Sequence, residues 1–119
     1  MGYTTEFEGQ LKLSRVLDLK EYKEMEEISS KDWRDDPTKP GYYCQWVVTE
    51  DGKYLEWDGN EKFYDYVEWL EWLIKNFFEP KGIILNGSLE WDGEEKGDVG
   101  KITVKDNVVT VKEGKIVYK

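Results

Sequence analysis

Apolar and polar positions alternate without a break near the start of the chain. Tyr3, Thr5, Phe7, Gly9, Leu11 and Leu13 point one way, and Thr4, Glu6, Glu8, Gln10 and Lys12 the other. A period of two with one largely apolar side predicts a strand lying on a core. The period then lengthens: Leu19, Tyr22, Met25 and Ile28 recur at helical spacing until about Ser30. Asp18, with Glu21 three residues on, forms a capping-box variant that opens this helix. Residues 31–41 carry Asp35-Asp36-Pro37 and Pro40-Gly41 and read as a loop.

Residues 42–49 and 53–57 read as strands joined by Glu50-Asp51-Gly52, whose Asp-Gly pair predicts a hairpin. Asp58-Gly59-Asn60-Glu61 is expected to cap a helix over about 60–78. Phe63, Tyr66, Val67, Leu70, Leu73, Ile74 and Phe77 fall within one arc of its wheel, and Pro80 and Gly82 end it. A strand over 83–91 follows, with Leu85, Gly87, Leu89 and Trp91 inward and Asn86, Ser88 and Glu90 outward. Asp92-Gly93 is expected to turn the chain into an acidic loop ending at Gly100. Strands over 101–105 and 108–112, around Asp106-Asn107, come next, and a last hairpin runs through Glu113-Gly114 to 116–118.

The order is strand, helix, strand, strand, helix, strand and then a strand meander. Its first six elements follow the ferredoxin-like βαββαβ order, with an antiparallel sheet carrying both helices on one face. The expectation is one α+β domain over residues 1–119, with the C-terminal meander extending the sheet or covering an edge. One phrase repeats: Leu55-Glu56-Trp57-Asp58-Gly59 recurs as Leu89-Glu90-Trp91-Asp92-Gly93. It reads as repeated strand-end grammar, with Leu and Trp inward, Glu outward and Asp-Gly turning.

Composition narrows the chemistry. The chain has 119 residues with six Trp, eight Tyr and four Phe, enough apolar area for a core without a disulfide or a metal. It has no His and a single Cys, Cys44, which excludes Ser-His and Cys-His nucleophilic pairs and multi-Cys zinc sites. Cys44 alternates with Trp46 and Val48 and is expected in the core as a small hydrophobe. The net charge is -9, and the sign is uneven: residues 101–119 hold five Lys against Asp106 and Glu113, so the remainder is more acidic still. An acidic chain disfavours direct nucleic-acid binding, which needs cations to neutralise phosphates. No apolar run reaches the roughly 20 residues of a membrane helix and no signal-peptide pattern opens the chain, so a cytoplasmic protein is expected. In the acidic loop, Asp92, Glu94, Glu95 and Asp98 are oxygen donors, but their spacing is not that of an EF-hand, and a solvated loop without a metal is expected. Outward carboxylates such as Glu6, Glu56 and Glu90 are candidates for acid–base work only if a pocket shifts one of them. No cofactor is implied, and the expectation is that the protein is not an enzyme.

The outward face of the expected sheet shows Glu6, Glu8, Gln10, Tyr43, Gln45, Tyr54, Glu56, Asn86, Ser88 and Glu90. Tyrosines among carboxylates suit a protein–protein surface, because Tyr brings contact area at low entropic cost. Trp72 adds a candidate anchor. With Leu70 at the centre of the buried arc it falls roughly 160° away, on the side of Asp65 and Glu68, where it would meet a partner, a second copy, the 31–41 loop or the C-terminal strands.

Several phrases carry a resemblance: Cys44-Gln45-Trp46; Glu56-Trp57-Asp58-Gly59-Asn60-Glu61-Lys62-Phe63-Tyr64; Tyr66-Val67-Glu68-Trp69-Leu70-Glu71; Leu85-Asn86-Gly87; and Gly100-Lys101-Ile102 with Asp106-Asn107-Val108-Val109. Together they resemble a family of small, uncharacterised acidic proteins of tailed phages, prophages and bacteria. The resemblance covers residues 43–111 and, more weakly, the first strand. Members carry a longer Gly- and Arg-containing insertion where this chain has only 31–41. No catalytic residue or cofactor comes with the resemblance. What it implies is a context in which small acidic phage proteins inhibit host defence systems.

The leading expectation is thus a non-enzymatic acidic interaction protein, phage-derived, that binds a basic surface of a host factor. A CRISPR effector is the specific version, with carboxylates occupying phosphate-binding sites. The alternatives are a nucleotide- or other small-molecule-binding protein that stacks its ligand on Trp or Tyr, for instance between protomers of a homo-oligomer, and a small hydrolase.

Overall fold

A computed structural model of the chain describes residues 3–114. The first strand, β1 (Thr5–Leu13), buries Thr5, Phe7, Leu11 and Leu13 and exposes Glu6, Glu8, Gln10 and Lys12, as its alternation requires, whereas Gly9, expected on the inward side, is exposed. The first helix, α1 (Leu19–Ser30), opens on a complete capping box: the Asp18 carboxylate accepts from the Glu21 amide at 2.8 Å, and the Glu21 carboxylate accepts from the Asp18 amide at 3.0 Å. Only part of its expected apolar face reaches the core. Met25 is buried and Tyr22 and Ile28 are half-buried, but Leu19 is exposed.

Strand β2 is Trp46–Val48, shorter than the expected 42–49, because the backbone around Tyr42 pairs with the preceding loop instead: Trp33 donates to the Tyr42 carbonyl at 2.8 Å. β3 (Tyr54–Trp57) follows through the expected Asp-Gly hairpin, with Gly52 at a φ of 74°. The expected helix over 60–78 divides into three pieces. Asp58 does not cap it; its carboxylate closes a local turn onto Asn60, accepting from both the amide and the side chain. Residues up to 65 form a loop that still delivers Phe63 to the core, and helix α2 (Tyr66–Leu73) begins after Asp65, which is left-handed (φ 57°) and makes no side-chain cap. A π-helical turn, Ile74–Phe78, then widens the coil and turns Ile74, Phe77 and Phe78 all inward, before a 3-10 turn at Glu79–Lys81.

Strand β4 (Leu85–Gly93) starts two residues later than expected and runs two residues past the expected end at Trp91, through the expected Asp92-Gly93 turn, so the second Leu-Glu-Trp-Asp-Gly copy ends inside a strand where the first ends in a turn. β5 (Val99–Lys105) and β6 (Val108–Glu113) complete the sheet around Asp106-Asn107, both left-handed, as a two-residue hairpin requires. The last expected hairpin, to 116–118, lies outside the described residues. The strands form a six-stranded sheet in the order β2-β3-β1-β4-β5-β6, antiparallel at every pairing. The C-terminal strands therefore extend the sheet beyond β4.

Buried strand residues all belong to one face: Phe7, Leu11 and Leu13; Leu55; Leu85, Leu89 and Trp91; Ile102 and Val104. They share one core with Met25 of α1 and Trp69, Leu70 and Leu73 of α2, so both helices lie on that side. Its aromatic centre is Phe7, whose ring meets Trp46, Trp57, Phe63 and Tyr66 edge-on at 4.9–5.8 Å. The other sheet face stays open. Its centre is the nine-residue β1–β4 pair, which contains two glycines at positive φ, Gly9 and Gly87. A Cβ at Gly9 would stand 2.5 Å from the Ser88 carbonyl oxygen, and one at Gly87 2.7 Å from that of Gln10, so only glycine allows these strands to cross so closely.

Candidate interaction site

Strand register decides which expected surface residues meet. On the open face Glu6 stands opposite Asp92, and Glu8 opposite Glu90. All four are exposed, and none joins any ion pair among the described residues. Like charges directly opposite on neighbouring strands are destabilising, so this arrangement costs folding free energy. Asp92 was hidden from sequence reasoning because Asp92-Gly93 carries a turn signal, and only the longer β4 places it on the face.

Next to the acidic patch the sign reverses. Glu90 is in register with Lys101 on β5, and Lys101 with Lys112 on β6. These residues, with Glu6, Glu8 and Asp92, border a shallow groove of about 550 Å³. Glu56 and Tyr54 on β3 are half-exposed, and the Glu56 carboxylate accepts from Gln10 Nε2 at 2.7 Å. Asn86 is exposed on β4, but its side-chain Oδ1 already accepts from the Asp106 amide at the β5–β6 turn.

Three expected surface residues lie elsewhere. Gln45 is buried: its amide donates to the Glu61 carbonyl at 2.9 Å and accepts from Trp57 Nε1 at 3.3 Å. The chain is not yet a strand there, so alternation does not govern it. Tyr43 is exposed but precedes β2, and its hydroxyl donates to Asp32 and accepts from Arg34. Trp72 is half-buried against the core, its ring 5.7 Å from that of Trp69 and capped by Lys39 Nζ at 5.0 Å. The 31–41 loop covers it, which local periodicity could not show.

That loop also builds a second concavity. It is a pocket of about 620 Å³ between residues 33–45 and 61–65, walled by Trp33, Tyr42, Tyr43 and Tyr64 with Pro37 and Pro40. Its own cations already occupy part of the aromatic surface: Lys39 sits 4.6 Å over Trp33 and Arg34 5.3 Å over Tyr42. Both are neutralised locally. Arg34 pairs with Asp32 at 2.7 Å and holds that carboxyl down at about 2. Lys39 pairs with Asp36 at 3.0 Å, and Asp36 is also held at about 2, chiefly by hydrogen bonds from Thr38. Behind Gly41, outside the residues that line the pocket, lies the indole of Trp69. It is fully buried, and its Nε1 donor has no acceptor.

The remaining sequence candidates have structural employment. Burial pushes the Cys44 thiol up to about 12, far from the reactive thiolate. In the acidic loop Asp98 accepts from the Tyr3 hydroxyl at 2.6 Å and Trp91 Nε1 at 3.0 Å, and Glu94 from the Thr4 amide at 2.6 Å. These bonds fasten the loop to the start of β1. Among the described residues no three carboxylates or Cys converge to hold a metal ion, and no helix is long and apolar enough to cross a membrane. No protein-family model, curated protein or solved structure matches the chain.

Proposed function

We propose that the protein is a non-enzymatic interaction module, working in the cytoplasm, whose open sheet face engages a basic surface of a protein partner. The observation that carries this reading is the pair of like-charge contacts Glu6–Asp92 and Glu8–Glu90, held in register on a face that no helix covers. A partner's Lys or Arg side chains would relieve that repulsion on binding, turning a folding cost into affinity and on-rate. The face is open to water, which suits charge-mediated docking and gives none of the enclosure a general acid or base needs. A nucleic-acid backbone would be repelled by the same carboxylates.

The order β2-β3-β1-β4 with antiparallel neighbours supports reading the first six elements as a ferredoxin-like unit, whose helix-free face carries the patch. The family resemblance extends the reading to a phage-derived inhibitor of a host defence factor, in which these carboxylates would stand where phosphates bind. The test is a calorimetric titration with an oligoarginine peptide at low and high salt. Binding whose affinity falls as salt rises is expected; absence of binding at low salt contradicts the reading.

A further inference from the structure

We propose that a second copy of the chain packs on the open sheet face with its strands reversed, setting the acidic row of each copy against a lysine row of the other. This rests on the reading of that face as an interaction surface and names a partner for it. The observation is a second charged row on the same face. Lys12, near the end of β1, stands opposite Asn86, and the Gly87–Val104 register puts Lys105 on the other flank of Asn86. Both lysines are exposed, and neither joins an ion pair among the described residues. Lys12 lies six residues along β1 from Glu6, about 20 Å in an extended strand. The face is therefore acidic at one end of β1 and basic at the other.

Reversal makes the face complementary to itself. A twofold axis lying across the strands, midway between the Glu8–Glu90 row and the Gln10–Ser88 row, brings Glu6 onto the second copy's Lys12 and Asp92 beside its Lys105. The same symmetry repeats both contacts at the other end. It also sets Glu8 on Gln10, Glu90 on Ser88 and Lys101 on Thr103, so no like charges are directly opposed along these three strands. Two twisted sheets pack in this way with their strands within about 30°. A footprint of about 24 Å by 20 Å is on the order of 500 Å² a side, the lower range of specific interfaces, which makes the dimer weak and reversible. Each copy carries a net charge of -9, so at very low salt the copies repel as wholes. At about 0.1 M the Debye length is about 10 Å, which screens that repulsion but spares direct contacts. The dimer is thus strongest at intermediate salt, a profile distinct from the steady fall expected for oligoarginine.

Sedimentation velocity tests the pairing. The parent is expected to dimerise reversibly at about 0.1 M salt and to be monomeric at about 1 M. Lys12→Glu with Lys105→Glu, and separately Glu6→Lys with Asp92→Lys, should each raise the dimer dissociation constant at least tenfold. An equimolar mixture of the two double variants should dimerise at least as tightly as the parent, because every contact is then a carboxylate against a lysine. That rescue also shows that both variants are folded. A parent that stays monomeric at about 1 mM across this salt range while oligoarginine binds overturns the pairing and leaves the foreign basic partner standing. A dimer that survives in both double variants, or a mixture that gains nothing, overturns it too. A rescued mixture without oligoarginine binding upholds the pairing and removes only the foreign partner. If neither a dimer nor an oligoarginine complex forms, both readings fall.

Discussion

Trp72 falls roughly 160° around the helical wheel from Leu70, yet it is not a free surface residue. Pro40, Thr38 and Lys39 come from a loop whose course no periodicity encodes, and they close over it. Trp72→Ala is therefore expected to lower the unfolding free energy by at least about 2 kcal/mol, short of the roughly 3–5 kcal/mol of a wholly buried Trp. Denaturant melts measure it; a near-neutral change accompanied by loss of self-association would restore the interface role. Gln45 teaches the same lesson in reverse, since alternation assigns it outward and the late start of β2 turns it in. Cys44 lies in the core as expected, although like Gln45 it precedes β2. Its thiol should resist an aromatic disulfide reagent in the folded protein and react fully in denaturant; rapid reaction of the native protein at neutral pH would contradict the core placement.

Local chemistry specified some elements completely. The Asp18–Glu21 capping box was readable from two residues, because both partners lie within one turn of chain. The structure adds what spacing could not: Arg15 grips the Glu21 carboxylate with both terminal guanidinium nitrogens, at 2.8 and 2.7 Å, and holds it down at about 2 from an ordinary 4.5. A carboxyl held below its unfolded value contributes stability that is fully present above pH 4.5 and lost as pH falls toward 2. Thermal melts should show a loss across that window that is smaller in Glu21→Gln, which in turn should be less stable than the parent near neutral pH. Identical acid profiles for the two proteins would remove Glu21 from the account. The second helix was less legible. Asp58 and Asn60 carry the residue types of a cap, but their side chains satisfy each other and the adjacent backbone, so the helix waits for Tyr66. The π-helical turn answers to tertiary packing: adjacent Phe77 and Phe78 both need the core, and a regular helix separates them by about 100°.

Across the whole molecule, the sequence showed that strands outnumber helices, that the C-terminal third adds strands, and that one sheet face is polar. It could not show register, and register is where the candidate site resides: Glu6, Glu8, Glu90 and Asp92 become two opposed acidic pairs only because β1 runs against β4 over nine residues. The pocket around Gly41 was equally hidden, since it joins a loop before β2 to a loop before α2. That register leads to the most direct test of the central claim. Charge reversal by Glu6→Lys and Glu8→Lys together should weaken oligoarginine binding more than tenfold, while raising stability by about 0.2–1 kcal/mol per relieved pair. The companion variant with Glu26→Lys and Glu71→Lys, two exposed helix positions, changes net charge equally and should reduce binding far less. Equal losses of affinity in the two double variants would show that only net charge matters, and would contradict a partner-binding site on the open face of the sheet.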